Sequence, residues 1–135
     1  MGYTIGQKLI KSHLVEGEMI PGTEVGLKID QTLTQDATGT MAYLEFEAMG
    51  IERVRTELSV AYIDHNTLQT GFENADDHKF IQSVCKKRGV RYSRPGNGIC
   101  QLRIGGRLAA GTLIAEGIQH TGPAHGLGSH ALAQG

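Results

Sequence analysis

Charge of one sign is missing from this 135-residue chain, in which 13 Lys and Arg face 14 Asp and Glu for a net charge of −1. So even a balance leaves no electrostatic footprint for nucleic acid or an anionic membrane. Long apolar runs are missing too, and none approaches the ~20 residues that span a bilayer. The opening Met1-Gly2-Tyr3-Thr4 has neither the basic nor the apolar region of a secretory signal. Position 6 is Gly, where N-myristoylation asks for Ser or Thr. Cysteine is scarce: Cys85 and Cys100 are too few for a disulfide scaffold. These absences leave a cytoplasmic protein of one domain, with a core of moderate size.

What is present reads as alternating helices and strands. Thr4-Ile5-Gly6-Gln7 is a capping-box pattern, with Thr4 as N-cap and Gln7 reaching back. Ile5, Leu9, Ile10 and Leu14 then recur at helical spacing, while Lys8, Lys11 and a solvated His13 take the other side. Pro21-Gly22 marks a turn, and an extended segment follows to Asp30. A second helix is expected to run to about Met49 and stop at Gly50, with Met41, Tyr43 and Leu44 facing a core and Glu45 and Glu47 outward. Leu58–Ile63 reads as a buried strand. A third helix, capped by Asn74, carries Asp76 and Asp77 in its first turn and Lys86-Lys87-Arg88 in its last, which suits the helix dipole. Phe80, Ile81 and Val84 form its buried stripe beside Cys85, and Gly89 ends it. Val90-Arg91-Tyr92 is a further short strand. This alternation predicts an α/β fold, an α/β/α layered domain with a mainly parallel sheet.

From Gln101 the pattern changes. Residues 101–135 hold eight glycines, one acidic residue (Glu116) and two basic ones (Arg103, Arg107), and no period persists beyond Leu108–Ile114. The expected division is therefore an α/β domain over 1–100 and a Gly-rich tail over 101–135 that specifies no rigid fold by itself. His120, His125 and His130 are five apart, which suits neither one helix face nor a common zinc motif, so no metal site is expected there.

Two stretches carry chemistry. Thr34-Gln35-Asp36-Ala37-Thr38-Gly39 reads as a polar turn between an extended segment and the second helix, which either Asp36 or Thr38 can cap. Free N–H groups, a positive dipole end and the Gln35 carboxamide suit an anionic ligand, and they equally suit a capped helix with nothing bound. The strand Leu58–Ile63 ends directly in Asp64-His65-Asn66-Thr67. An adjacent carboxylate helps to keep an imidazole protonated, and a protonated His at the carboxyl end of a strand is a good general acid.

Taken together, Asp30 through Gly50, Asp64-His65-Asn66-Thr67, Phe72-Glu73-Asn74-Ala75-Asp76-Asp77-His78 and Arg94-Pro95-Gly96-Asn97-Gly98-Ile99 closely resemble the aconitase family. The match runs from about Thr4 to Cys100 and looks like the opening portion of the family's first domain. The resemblance implies a hydro-lyase that dehydrates and rehydrates a small tricarboxylate or hydroxy acid. In the family a [4Fe–4S] cluster held by three Cys binds substrate through an open iron. It further implies that Gln35 contacts substrate and that Asp64 and His65 protonate the departing hydroxyl. Beyond Cys100 the likeness fades. The family's His-Gln pair reads Cys100-Gln101 here, and of an Asp-Ser-His-Thr run only His120-Thr121 is kept, which makes His120 a further substrate-binding candidate. Cys85 and Cys100 match no ligand position, so the cluster ligands, the clamping arginines and the proton-abstracting serine would lie in domains outside this chain. An aconitate hydratase is the first expectation, inactive as this chain alone. A 3-isopropylmalate dehydratase large subunit or homoaconitase is the alternative, and a non-catalytic degenerate fragment is an alternative of another class. The only partner implied is the small-molecule substrate.

Overall fold

In the computed structural model the described residues are 2–100, 113–116 and 130–133. Helix α1 spans Ile5–His13, followed by β1 (Leu14–Glu16), β2 (Gly26–Leu27), β3 (Gln31–Gln35), α2 (Asp36–Ala48), β4 (Leu58–Tyr62), α3 (Glu73–Arg88), β5 (Arg91–Ser93), β6 (Leu113–Glu116) and β7 (His130–Ala133). Strands β1 and β2 pair antiparallel, and the other five form one parallel sheet in the order β5-β4-β3-β6-β7. The chain thus winds outward from β3 through β4 to β5, then returns to the other side of β3 with β6 and β7. A reversal of this kind leaves a crevice at the carboxyl ends of the central strands, where open α/β sheets take their ligands. Here it falls between β3 and β6. Strands β6 and β7 lie within 101–135, where no period announces them; the pairing partner, not local sequence, defines them.

The fold is the expected layered α/β arrangement. Helices α2 and α3 pack on each other and on the sheet, and Tyr43, Ala61, Ile63, Ile81, Val84, Cys85 and Val90 make the shared core. Ala61 and Ile63 alternate with Tyr62, as the two faces of a strand require. Helix α1 opens as predicted: Thr4 Oγ1 accepts from Gln7 N at 3.3 Å, and Gln7 Oε1 accepts from Thr4 N at 2.9 Å. Thr4→Ala removes one half of this reciprocal cap. The expected loss is about 1 kcal/mol of stability, read from a urea melt. The left-handed stops are also where expected, with φ of 69° at Gly50 and 82° at Gly89.

Several details differ from expectation. There is no polar turn over Thr34–Gly39: β3 runs to Gln35 and α2 starts at Asp36, with Gln35 as N-cap. Met41 and Leu44 are exposed, because Tyr43 takes the inward position and its hydroxyl lies 2.9 Å from Thr34 Oγ1. Asn74 caps nothing. Helix α3 starts two residues earlier than an Asn74 cap implies, at Glu73 with Phe72 as N-cap, and the Asp76 amide closes its first turn on the Phe72 carbonyl. His13 is not solvated; Nδ1 lies 2.8 Å from the Leu9 carbonyl and Nε2 lies 2.8 Å from Asp30 Oδ2, tying α1 to the loop before β3. Glu47 turns in to meet Arg88 at 3.0 Å, and this hydrogen bond lowers the Glu47 pKa. Among the described residues no helix is long and apolar enough to cross a membrane.

Candidate active site

Three strand ends converge on the site. Strand β3 delivers Gln35 and Asp36, β4 leads through Ile63 into Asp64 and His65, and β5 leads into the loop from Arg94 to Cys100. Parallel pairing sets Gln35 beside Tyr62 and Tyr62 beside Ser93, so all three carboxyl ends lie level. The last loop, with Tyr92, Arg94, Pro95, Gly96 and Asn97, lines an open concavity at that edge.

The side chains of Asp64 and His65 meet. His65 Nδ1 lies 2.8 Å from Asp64 Oδ1. The carboxylate is buried and the imidazole is 37% exposed. Asp64 Oδ2 accepts from the backbone N–H of Cys100 at 2.6 Å. Cys100, which stands where the family pattern carries His, therefore borders the pair through its main chain. An imidazole held through Nδ1 presents Nε2 outward, the arrangement of a proton donor oriented by a carboxylate.

Gln35 is in a different situation. It is almost wholly buried, and its Oε1 accepts from the Ala37 N–H at 2.6 Å. Its oxygen thus caps its own helix, which leaves the carboxamide NH2 as the group able to meet a ligand oxygen. His120 lies outside the described residues.

Sequence reasoning missed the group that ties the site together. The buried Asp36 carboxylate accepts from three successive amides of the β4 loop: Oδ1 from Asp64 N at 3.2 Å and from His65 N at 2.9 Å, and Oδ2 from Asn66 N at 2.9 Å. His78, buried in α3, places Nε2 3.0 Å from the same Oδ2, and its Nδ1 lies 3.2 Å from Gln69 Nε2. Burial alone would raise the Asp36 pKa, but the amides of His65, Asn66 and Asp64, with the His78 ring, outweigh it and hold it below 3.8. Asp36 is therefore an ionised carboxylate inside the fold, beneath the outer pair. A useful signal was present in that Asp36 and His78 both fall within the family-like motifs. No spacing rule, however, connects residues 42 positions apart.

Asp36, Asp64 and His65 bring one possible metal-ligating atom each within 4.8 Å of one another, the one such group among the described residues. Their oxygens are already directed at amides and rings, so the group is a hydrogen-bonded cluster. The cysteines do not fit an iron–sulfur cluster. The chain has two, and Cys85 lies in the core with its thiol pushed up to about 11 by burial. A cluster needs thiolates that its iron can reach. Cys85 is accordingly expected to resist Ellman's reagent at pH 8 in the folded chain and to react once urea unfolds it.

The fold and site thus define a parallel α/β domain with a hydrogen-bonded Asp–His pair at a strand end. No protein-family model matches the chain, but curated relatives match all of it. 3-Isopropylmalate dehydratase large subunit 1 of Thermotoga maritima is 28% identical over 137 residues, covering 100% of this chain and 32% of that protein. The 3-isopropylmalate dehydratase large subunit of Halothermothrix orenii is 31% identical over 140 residues, covering 100% and 33%. Large subunit 1 of Pyrococcus abyssi is 29% identical over 140 residues, with the same coverage. The chain is similar over its whole length to 3-isopropylmalate dehydratase large subunits, consistent with the opening portion of an aconitase-family protein. It spans about a third of the length of the curated relatives it matches. The similarity continues through 101–135, beyond the point where the recognisable motifs fade. The relatives favour the alternative reading over the aconitate hydratase expected first.

Proposed function

We propose that this chain is the part of a 3-isopropylmalate dehydratase-type hydro-lyase that carries the proton-donating pair. The observation that supports the reading best is the Asp64–His65 contact at the carboxyl end of β4, in a chain similar over its whole length to such large subunits. The reaction class is dehydration of a 2- or 3-hydroxy acid and rehydration of the resulting alkene. Hydroxide is a poor leaving group, so the departing oxygen needs a proton. His65 supplies it from Nε2 while Asp64 stabilises the imidazolium and fixes the ring. In the reverse direction the same imidazole takes the proton back from water. Gln35 offers its carboxamide NH2 to a carboxylate or hydroxyl of the substrate. No step runs through an iron–sulfur cluster on these residues, because the cysteines present do not fit one. That chemistry, the base and the carboxylate clamps belong to the rest of a longer protein, along with a small-subunit partner. The division into an incomplete α/β domain over 1–100 and a Gly-rich tail over 101–135 remains part of this reading.

Residues 2–100 exchanged into the Halothermothrix orenii large subunit, supplied with its small subunit, test the proposal. Turnover of 3-isopropylmalate, followed by the absorbance of the alkene product, is the expected result, with no turnover of citrate. A soluble, cooperatively folded chimera inert toward isopropylmalate would overturn the reading. The 135-residue chain by itself is expected to show no turnover.

A further inference from the structure

We infer that Asp36 is the positioning residue of the Asp64–His65 pair, and that His78 and Gln69 hold Asp36 to that task. The inference rests on the reading of His65 as proton donor and deepens it. Neighbouring residues of an extended chain point to opposite sides, so an Asp and the His that follows it do not meet unless the backbone bends between them. Here the chain leaves β4 at Tyr62 and bends at His65 and Asn66. The two side chains come within 2.8 Å. The groups that define the bend are the amides of Asp64, His65 and Asn66, and all three donate to one carboxylate. A single side chain on the β3–α2 junction thereby orients three consecutive peptides of the β4 loop.

The usual task of an Asp at the start of a helix is capping, but in α2 that is done by Gln35 through the Ala37 amide. The hydrogen bonds of both Asp36 oxygens to the β4 loop and to His78 run away from α2. The inner pair also has a defined proton arrangement. With the Gln69 amide NH2 donating to it, His78 Nδ1 accepts, and the His78 Nε2–H donates to Asp36 Oδ2. Two Asp–His pairs are thus stacked. The outer one is made by neighbours in sequence and faces the ligand side; the inner one, made across the fold, sets the backbone from which the outer one is presented. Asp36 and His78 need never touch substrate.

The test is proton–nitrogen correlation spectroscopy of the histidine rings in the full chain labelled with nitrogen-15. In the unaltered chain at pH 8, His65 is expected to show one tautomer, protonated at Nδ1. In Asp36→Asn and His78→Leu its two ring nitrogens should move toward the averaged shifts of a free imidazole. His78→Gln, whose Nε2 stands where the imidazole Nε2 stood, should restore the unaltered spectrum. A merely structural role for His78 would lower the melting temperature in both His78 variants without separating their His65 spectra. If Asp36→Asn or His78→Leu fails to fold, Gln69→Leu, at an exposed position, decides. It should release His78 to both tautomers and partly average His65. Unchanged His65 nitrogens in the folded variants would overturn the inference. An inert chimera with these spectra as expected would remove the functional reading alone. An active chimera whose His65 ignores Asp36 would remove only the positioning role.

Discussion

Replacing Asp36 by alanine is expected to lower the unfolding free energy by about 3–5 kcal/mol, the scale for breaking a buried hydrogen-bonded charge network from one side. Three loop amides and the Nε2–H of His78 lose their acceptor together. Asp36→Asn should be milder, at about 1.5–3 kcal/mol, since a carboxamide oxygen still accepts but its NH2 opposes a donor. Urea melts of the two variants check both figures. A loss below about 1 kcal/mol for the alanine variant would mean that the amides find water instead.

The sign of the pH dependence follows from the lowered pKa. Folding depresses the Asp36 pKa below 3.8, so the stability that this carboxylate contributes is fully present above that value. It is lost as pH falls through 3.8 toward the folded-state pKa, while the unfolded chain takes up the proton first. The gap between the unaltered chain and Asp36→Asn should therefore narrow below pH 3.8 and be constant above it. A gap that widens in acid would assign the shift to another group.

The second large effect concerns turnover. In the active chimera, His65→Ala is expected to reduce kcat by about 10²- to 10⁴-fold, the range for loss of a positioned general acid. Because the proton moves only in the transition state, kcat and kcat/KM should fall together with KM little changed. Asp64→Asn keeps the shape but removes the charge that orients the ring, and it should fall in the same direction by less than His65→Ala. A rise in KM at constant kcat would make His65 a binding residue.

The parts of this fold that were legible in the sequence are those with short-range causes. The capping box at Thr4 and Gln7, the glycine stops at 50 and 89 and the buried stripe of α3 each depend on residues within a turn or two of one another. The start of α3 was misplaced because Asn74 is a good capping residue in general, while the chain here closes the turn from Phe72. Strands β6 and β7 were illegible for the opposite reason, since their hydrogen bonds come from β3 and from each other. The site divides in the same way. Asp64 and His65 could be read as a pair because they are adjacent. Gln35 was found through its motif, but its capping of α2 depends on where β3 stops. The inner pair of Asp36 and His78 joins two helices across the fold and becomes visible only when the sheet places them together.

The meeting of three chain segments on Asp36 has a consequence for exchange with solvent. Loop amides usually trade their hydrogens for deuterium quickly, through small local openings. The amides of Asp64, His65 and Asn66 cannot do so without releasing a carboxylate that α3 also grips through His78. Held on one buried carboxylate, these three residues outside any strand are expected to exchange more slowly than the exposed remainder of their loop. The segment that presents His65 would thus be held, kinetically, by the core.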